Sequence, residues 1–142
     1  MLYLGSDHNG YAAKVNIKAF LTKNNIAWKD LGNAKFDKND DYTDWAKKVA
    51  QKISFNPANQ GLLFCGSGQG MAMMANRFKN VRAIVGYSTM TVKHGRLDED
   101  SNVLCLPVWD FNQSQMEKII MLWVKTPFSG LARHCRRIKK LA

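Results

Sequence analysis

A cysteine closes the short apolar run Leu62, Leu63, Phe64, and glycines follow at 66, 68 and 70 before a stretch of good helix formers from Met71 to Phe78. This places a thiol at a strand tip, against a loop that opens a helix. Glycines let the chain turn sharply and let a ligand approach the backbone closely. The first amides of a helix lack partners inside it and aim positive charge at the strand tip. A thiol in such a field is expected to ionise more readily. Cys65 is therefore a candidate base or nucleophile, and the amides of Gly66, Ser67, Gly68, Gln69 and Gly70 are candidate oxyanion donors. The competing reading is a small buried hydrophobe at a strand end.

Several named loops fail on this stretch. A hydrolase elbow needs a glycine two residues before its serine, and Ser67 has Cys65 there. A Walker loop needs GK[ST], which is absent. The third glycine comes one residue too early for GxGxxG, and the next acidic residue is Asp98, too far on for a ribose contact. Two smaller groups accompany the loop. Asp7-His8 follows the first apolar run and reads as either a turn with a cap or part of a site. Asp41-Tyr42 precedes a helix, and Asp41 or Thr43 would serve equally as its cap.

The elements that would carry these residues alternate. Apolar positions give strands at Leu2–Gly5, Ile26–Leu31, Gln60–Cys65, Val81–Tyr87 and Asn102–Leu106. Helical spacing appears over Tyr11–Asn24, from Asp44 through Ile53, over Met71–Phe78, Thr89–Arg96 and Gln113–Val124. The unbroken run at residues 62–64 suits a strand buried on both faces, as in parallel sheets. Residues 1–142 thus read as one α/β domain with a five-stranded parallel sheet and helices on both faces. A basic segment follows from about residue 127. In such folds ligands bind beyond the carboxyl ends of the strands, where the strand order reverses.

Composition narrows the class. No stretch reaches the roughly 18 apolar residues of a membrane span, and the N-terminus turns polar too soon for a signal peptide. Three cysteines (65, 105 and 135) without CxxC or zinc spacing argue against a disulfide framework, so a reducing cytosol is the expected compartment. The net charge of +10 is partly gathered in RHCRRIKK, residues 133–140. It reads as a solvated surface or as a grip on a phosphorylated ligand. Without interleaved aromatics or a nucleic-acid motif, the tail argues against nucleic acid as a partner.

Four motifs then stand in order: SDHNG at residues 6–10, DY at 41–42, CGSGQG with the later Ala75-Asn76, and DEDSNVL with RHCRR near the end. Together they resemble the ribose-5-phosphate isomerase B family, which includes the galactose-6-phosphate isomerase subunits. The resemblance implies a flavodoxin-like or Rossmann-like three-layer α/β/α sandwich and a homodimer with sites between subunits. It also implies aldose–ketose isomerisation of a sugar phosphate through an enediolate, with no metal and no cofactor. The loop cysteine of such enzymes moves the proton between C1 and C2, a role that falls here on Cys65. Asp7 and His8 match residues that contact the sugar near its ring oxygen and phosphate, and Tyr42 matches a wall of the pocket. Arg133 and Arg137 match the two arginines on the phosphate, with His134 between them.

The match breaks at three places. Where the family carries a histidine that opens the sugar ring and an asparagine on its hydroxyls, this chain has Asp98 and Glu99. Asp98 would need a raised pKa for that work; His94, one helical turn earlier, is the other candidate. Where many members place a further phosphate arginine, this chain has Trp109. The resemblance therefore implies ribose 5-phosphate and ribulose 5-phosphate as substrates. A galactose-6-phosphate isomerase-type subunit, or a sugar-phosphate binder that has lost catalysis, are the alternatives.

Overall fold

The computed structural model describes residues 1–141. Its elements are β1 (Leu2–Ser6), α1 (Tyr11–Lys23), β2 (Trp28–Asp30), α2 (Tyr42–Phe55), β3 (Gln60–Cys65), α3 (Gln69–Ala75), β4 (Ala83–Val85), α4 (Thr89–Leu97), β5 (Val103–Pro107), α5 (Gln113–Lys125) and α6 (Ala132–Ile138), followed by a short 3₁₀ turn, Lys139–Leu141. The five strands form one sheet in the order β2-β1-β3-β5-β4, and every pairing is parallel.

Alternation along the strands builds two cores. Leu2, Leu4, Leu62, Phe64, Leu104 and Leu106 face α1, α4 and α5 through Ile17, Leu21, Val92, Ile120 and Trp123. The residues between them, Leu63, Cys65, Val103 and Cys105, face α2 and α3 through Val49, Ile53, Met71 and Ala75. The result is the expected α/β/α sandwich with a five-stranded parallel sheet. One detail departs from the flavodoxin strand order 2-1-3-4-5: β5 lies between β3 and β4, which leaves β4 at the edge.

The elements differ from the sequence reading mainly at their ends. The edge strands β2 and β4 have three residues each, shorter than expected. Each has a neighbour on one side only, so fewer residues meet the ladder. Helix α3 starts at Gln69, two residues earlier than the helix formers suggested, because Gly68 takes a left-handed φ of 75° and turns the chain directly into the helix. The glycine loop is therefore short, and Gly70 already lies in the first helical turn. Helix α2 likewise begins at Tyr42 rather than Asp44, with Asp41 in the capping position but without a side-chain cap bond.

The far end of α3 is tied to the edge strand. Asn76 Nδ2 donates to the Ala83 carbonyl at 2.9 Å, and the Ala83 N–H donates to Asn76 Oδ1 at 2.7 Å. An amide side chain thus pairs the open edge of β4 and anchors the helix whose first turn forms the glycine loop. Asn76→Ala is expected to lower stability by about 1 kcal/mol, the net worth of such bonds near solvent. The check is a fall in the denaturant midpoint at unchanged m-value. Among the described residues, no helix is long and apolar enough to cross a membrane.

Candidate active site

The strand order reverses between β1 and β3, so the loops that leave these two strands border the crevice where such folds bind ligands. The two loops are pressed together. The Asp7 N–H donates to the Phe64 carbonyl at 3.2 Å. A Cβ on Gly10 would lie 2.1 Å from that same carbonyl oxygen, so only glycine lets the first loop lie against the end of β3. Asp7 is buried and accepts the Gly10 N–H at 2.9 Å. Burial raises its carboxyl above the usual range, with the Gly10 amide pulling it back.

Cys65 is the last residue of β3 and is 5% exposed. Its Sγ accepts the Gly68 N–H at 3.1 Å. Burial pushes the thiol up; the Gly68 amide, with those of Met71 and Ser67, draws it back, and the charge of Asp7 pushes it further up. This corrects the expectation of a readily ionised thiol. The helix mouth does aim its amides at the sulfur, but desolvation outweighs them. The Gly68 amide is committed to the sulfur, which leaves Gly66, Ser67, Gln69 and Gly70 as the expected oxyanion donors. Of these, the Gln69 N–H has a long 3.4 Å contact to Ser67 Oγ.

Two aromatic rings wall the loop. A Cβ on Gly70 would lie 2.5 Å from Tyr42 Cζ, so the Tyr42 ring is packed on Gly70, 41% exposed, as a pocket wall would be. A Cβ on Gly66 would lie 2.4 Å from Trp109 Cε2, and the Trp109 N–H donates to the Gly66 carbonyl at 3.1 Å. Trp109 is 71% exposed. The residue that replaces the expected arginine thus presents an apolar face beside the glycine loop.

His8 completes this group. Its backbone N–H and its Nδ1 both donate to Asp40 Oδ1, at 2.9 and 2.8 Å. The bond to Asp40 is the main reason that its imidazole is held above the usual pKa. Asp40 was missed in the sequence. It lies in an otherwise exposed loop beside the quoted DY pair, and nothing local links it to a residue 32 positions away.

The remaining candidates form a separate cluster at the other end of the sheet. Asp98 caps the C-terminus of α4, and residues 98–102 lead into the first residue of β5. Asp98 Oδ2 accepts from His94 Nδ1 at 3.0 Å, and its Oδ1 lies 3.7 Å from His134 Nδ1. The two alternatives for ring opening, Asp98 and His94, are therefore bonded to each other. Glu99 is exposed, and its carbonyl accepts from Arg82 Nε at 3.1 Å. Arg82 and Arg96 both bond the Asp100 carboxylate, at 2.8 and 2.9 Å, and the Asn102 side chain bonds the Arg82 and Asn80 backbone. Arg96, Asp100 and Asn102 thus build the turn that presents Asp98 and Glu99.

On α6, His134 is buried and Arg133 and Arg137 are exposed. Arg133 Nε donates to His134 Nε2 at 3.2 Å, which makes that nitrogen an acceptor and leaves the ring proton on Nδ1, 2.8 Å from Ser129 Oγ. Between the two clusters runs the length of the sheet. Cys65 pairs with Pro107 at the end of β5, whereas the Asp98 turn enters β5 at Val103. Those five residues span roughly 13 Å at about 3.3 Å per residue. Within one chain, Asp98, Glu99, Arg133, His134 and Arg137 are not brought to Cys65. Among the described residues, no three His, Cys, Asp or Glu side chains are grouped to hold a metal ion.

A family model described as ribose/galactose isomerase matches residues 2–141. The chain is 38% identical over 141 residues to a probable ribose-5-phosphate isomerase B of Mycoplasma genitalium, covering 99% of this chain and 92% of the relative. It is 31% identical to a putative sugar phosphate isomerase of Bacillus subtilis, covering 98% and 93%. Among solved structures, a ribose-5-phosphate isomerase B from Mycoplasma genitalium with bound ribulose-5-phosphate superposes with a TM-score of 0.94 at 38% identity, covering 99% and 92%. A ribose 5-phosphate isomerase from Thermotoga maritima gives 0.92 at 34% identity, covering 99% and 95%.

Proposed function

The chain belongs to the ribose/galactose isomerase family, and on that premise we propose that it interconverts ribose 5-phosphate and ribulose 5-phosphate with Cys65 as the base. The observation that carries the assignment is the buried Cys65 sulfur at the switch point of the sheet, accepting the Gly68 N–H. Proton removal next to a carbonyl needs a base within hydrogen-bond reach and a place for negative charge on oxygen. Cys65 supplies the first. The amides of Gly66, Ser67, Gln69 and Gly70 supply the second, while Gly68 steadies the thiolate when it forms. The thiol returns that proton to C1 while the C2 hydroxyl proton passes to the C1 oxygen, so the isomerisation completes without net gain or loss.

A phosphate dianion calls for forked guanidinium donors. Arg133 and Arg137 are four apart on α6 and exposed, so they suit that task. They lie at the wrong end of the sheet to serve Cys65 of their own chain. We therefore assign the working unit as a homodimer in which α6, Asp98 and Glu99 of one copy face the Cys65 loop of the other. Asp98, bonded to His94, then exchanges the proton with the ring oxygen, while Asp7, His8 and Tyr42 hold the sugar from the cysteine side. The three free cysteines fit an enzyme of the reducing cytosol.

The test is a coupled assay of ribulose 5-phosphate formation beside a parallel assay with galactose 6-phosphate. Turnover of the pentose phosphate is expected. Turnover of the hexose phosphate alone would reassign the substrate, and calorimetric binding without turnover of either would leave a sugar-phosphate binder. The buried thiol also sets the pH dependence. The base must be deprotonated to act, and burial places its pKa above the ordinary value of about 8.5. The profile of kcat/KM, which reports the free enzyme, should therefore keep rising with pH through and beyond about 8.5. A plateau reached below pH 7 would remove Cys65 from that role.

A further inference from the structure

Asp40 has four donors on one carboxylate. Oδ1 accepts the His8 N–H and His8 Nδ1, and Oδ2 accepts Asn33 Nδ2 at 3.0 Å and Trp45 Nε1 at 2.8 Å. Its side chain is only 6% exposed, although residues 34–39 and Asp41 around it are all exposed. The buried Asn33 is itself held, through Oδ1, by Ser6 Oγ at 3.1 Å and by the fully buried Lys14 Nζ at 3.2 Å. A rigid polar chain thus runs from α1 and the end of β1, through Asn33 and Asp40, to the histidine at the crevice. Groups held this way lose little freedom when a ligand arrives.

We propose that Asp40 is the positioning residue for His8, fixing Nδ1–H on its own carboxylate so that Nε2 is presented to the sugar phosphate. The inference rests on the isomerase reading for what His8 then touches. The other group at Nε2 is the Asn9 side chain, 3.2 Å away and exposed, which a substrate oxygen can displace. The charges that face this ring are Asp40 from the loop before α2 and Asp7 from its own loop. Those that face Asp40 are His8, Asp7 and, beyond Asn33, Lys14. Both carboxylates favour the imidazolium, so His8 stays charged to a higher pH than a free histidine and suits an anionic ligand.

A purely structural Asp40 would pin its loop through Trp45 and Asn33 and leave His8 indifferent. Nitrogen-edited NMR of the histidine rings separates the two readings in the full-length protein, with Asp40→Asn alongside. In the wild type, neutral His8 should carry its proton on Nδ1, and its pKa should fall in Asp40→Asn. For ribose 5-phosphate, Asp40→Asn should raise KM about tenfold near pH 7, the size of one weakened charge-assisted hydrogen bond, with kcat within about twofold. That rise should vanish in a His8→Ala background. An Nε2-protonated His8, the same His8 titration with and without Asp40, or an undiminished effect in the His8→Ala background would overturn the proposal. The tautomer of the wild type alone decides the matter if Asp40→Asn does not fold. It also stands if the protein proves inactive on ribose 5-phosphate, so a wrong substrate and a wrong positioning role give different results.

Discussion

Replacing Cys65 by alanine lowers kcat for ribose 5-phosphate by about 10³-fold, within the range that a positioned general base contributes. The substrate is held by other groups, so KM changes little, the signature of a group acting in the transition state. Stability moves much less. The variant keeps Cβ and loses one sulfur, which leaves the Gly68 N–H without its acceptor at a cost of about 1 kcal/mol. A thermal midpoint close to the wild type together with a collapsed turnover is the expected pair of readings from a coupled assay and a melting curve. Activity that fell only in proportion to folded protein would mark Cys65 as a packing residue, the alternative that its 5% exposure keeps in play.

Mixing two inactive variants restores activity. In the proposed dimer Cys65→Ala lacks the base and Arg133→Ala/Arg137→Ala lacks the phosphate grip, so each homodimer would have two defective sites. In a symmetric dimer with sites between copies, a hybrid joins the intact Cys65 loop of one chain to the intact α6 of the other. Random exchange makes half of the dimers hybrids with one intact site in two, so an equimolar mixture recovers about a quarter of wild-type activity. The measurement is turnover after joint unfolding and refolding, against each variant treated alone. The geometric basis is the separation along β5 of Pro107, beside Cys65, from Val103, beside the Asp98 turn. No recovery would mean that both clusters act within one chain or that only one of them acts.

The sequence disclosed the backbone path of the glycine loop better than its electrostatics. An apolar run ending in Cys65, followed by alternate glycines, was enough to place β3, the turn and a helix, because periodicity and glycine punctuation are local signals. The direction of the thiol shift was not legible, since it depends on how deeply the sulfur is buried between α2 and α3. The ends of β2 and β4 were overestimated because edge strands share the apolar pattern of central ones but have one neighbour. The insertion of β5 between β3 and β4 has no local signature at all. The two clusters were legible as motifs, yet their position at opposite ends of the sheet followed only once the register of β3 and β5 was known. Asp40 was invisible for the same reason: its partners His8, Asn33 and Trp45 come from three separate stretches of chain.

The most direct test follows hydrogen itself. Ribose 5-phosphate is incubated in D2O with the wild type and with Cys65→Ala, and label at C2 is read by proton NMR. A sulfur that lifts the proton and trades it with solvent predicts steady loss of the C2 proton signal with the wild type and none above background with the variant. Undiminished exchange in Cys65→Ala would contradict the account, because some other group would then be taking the proton.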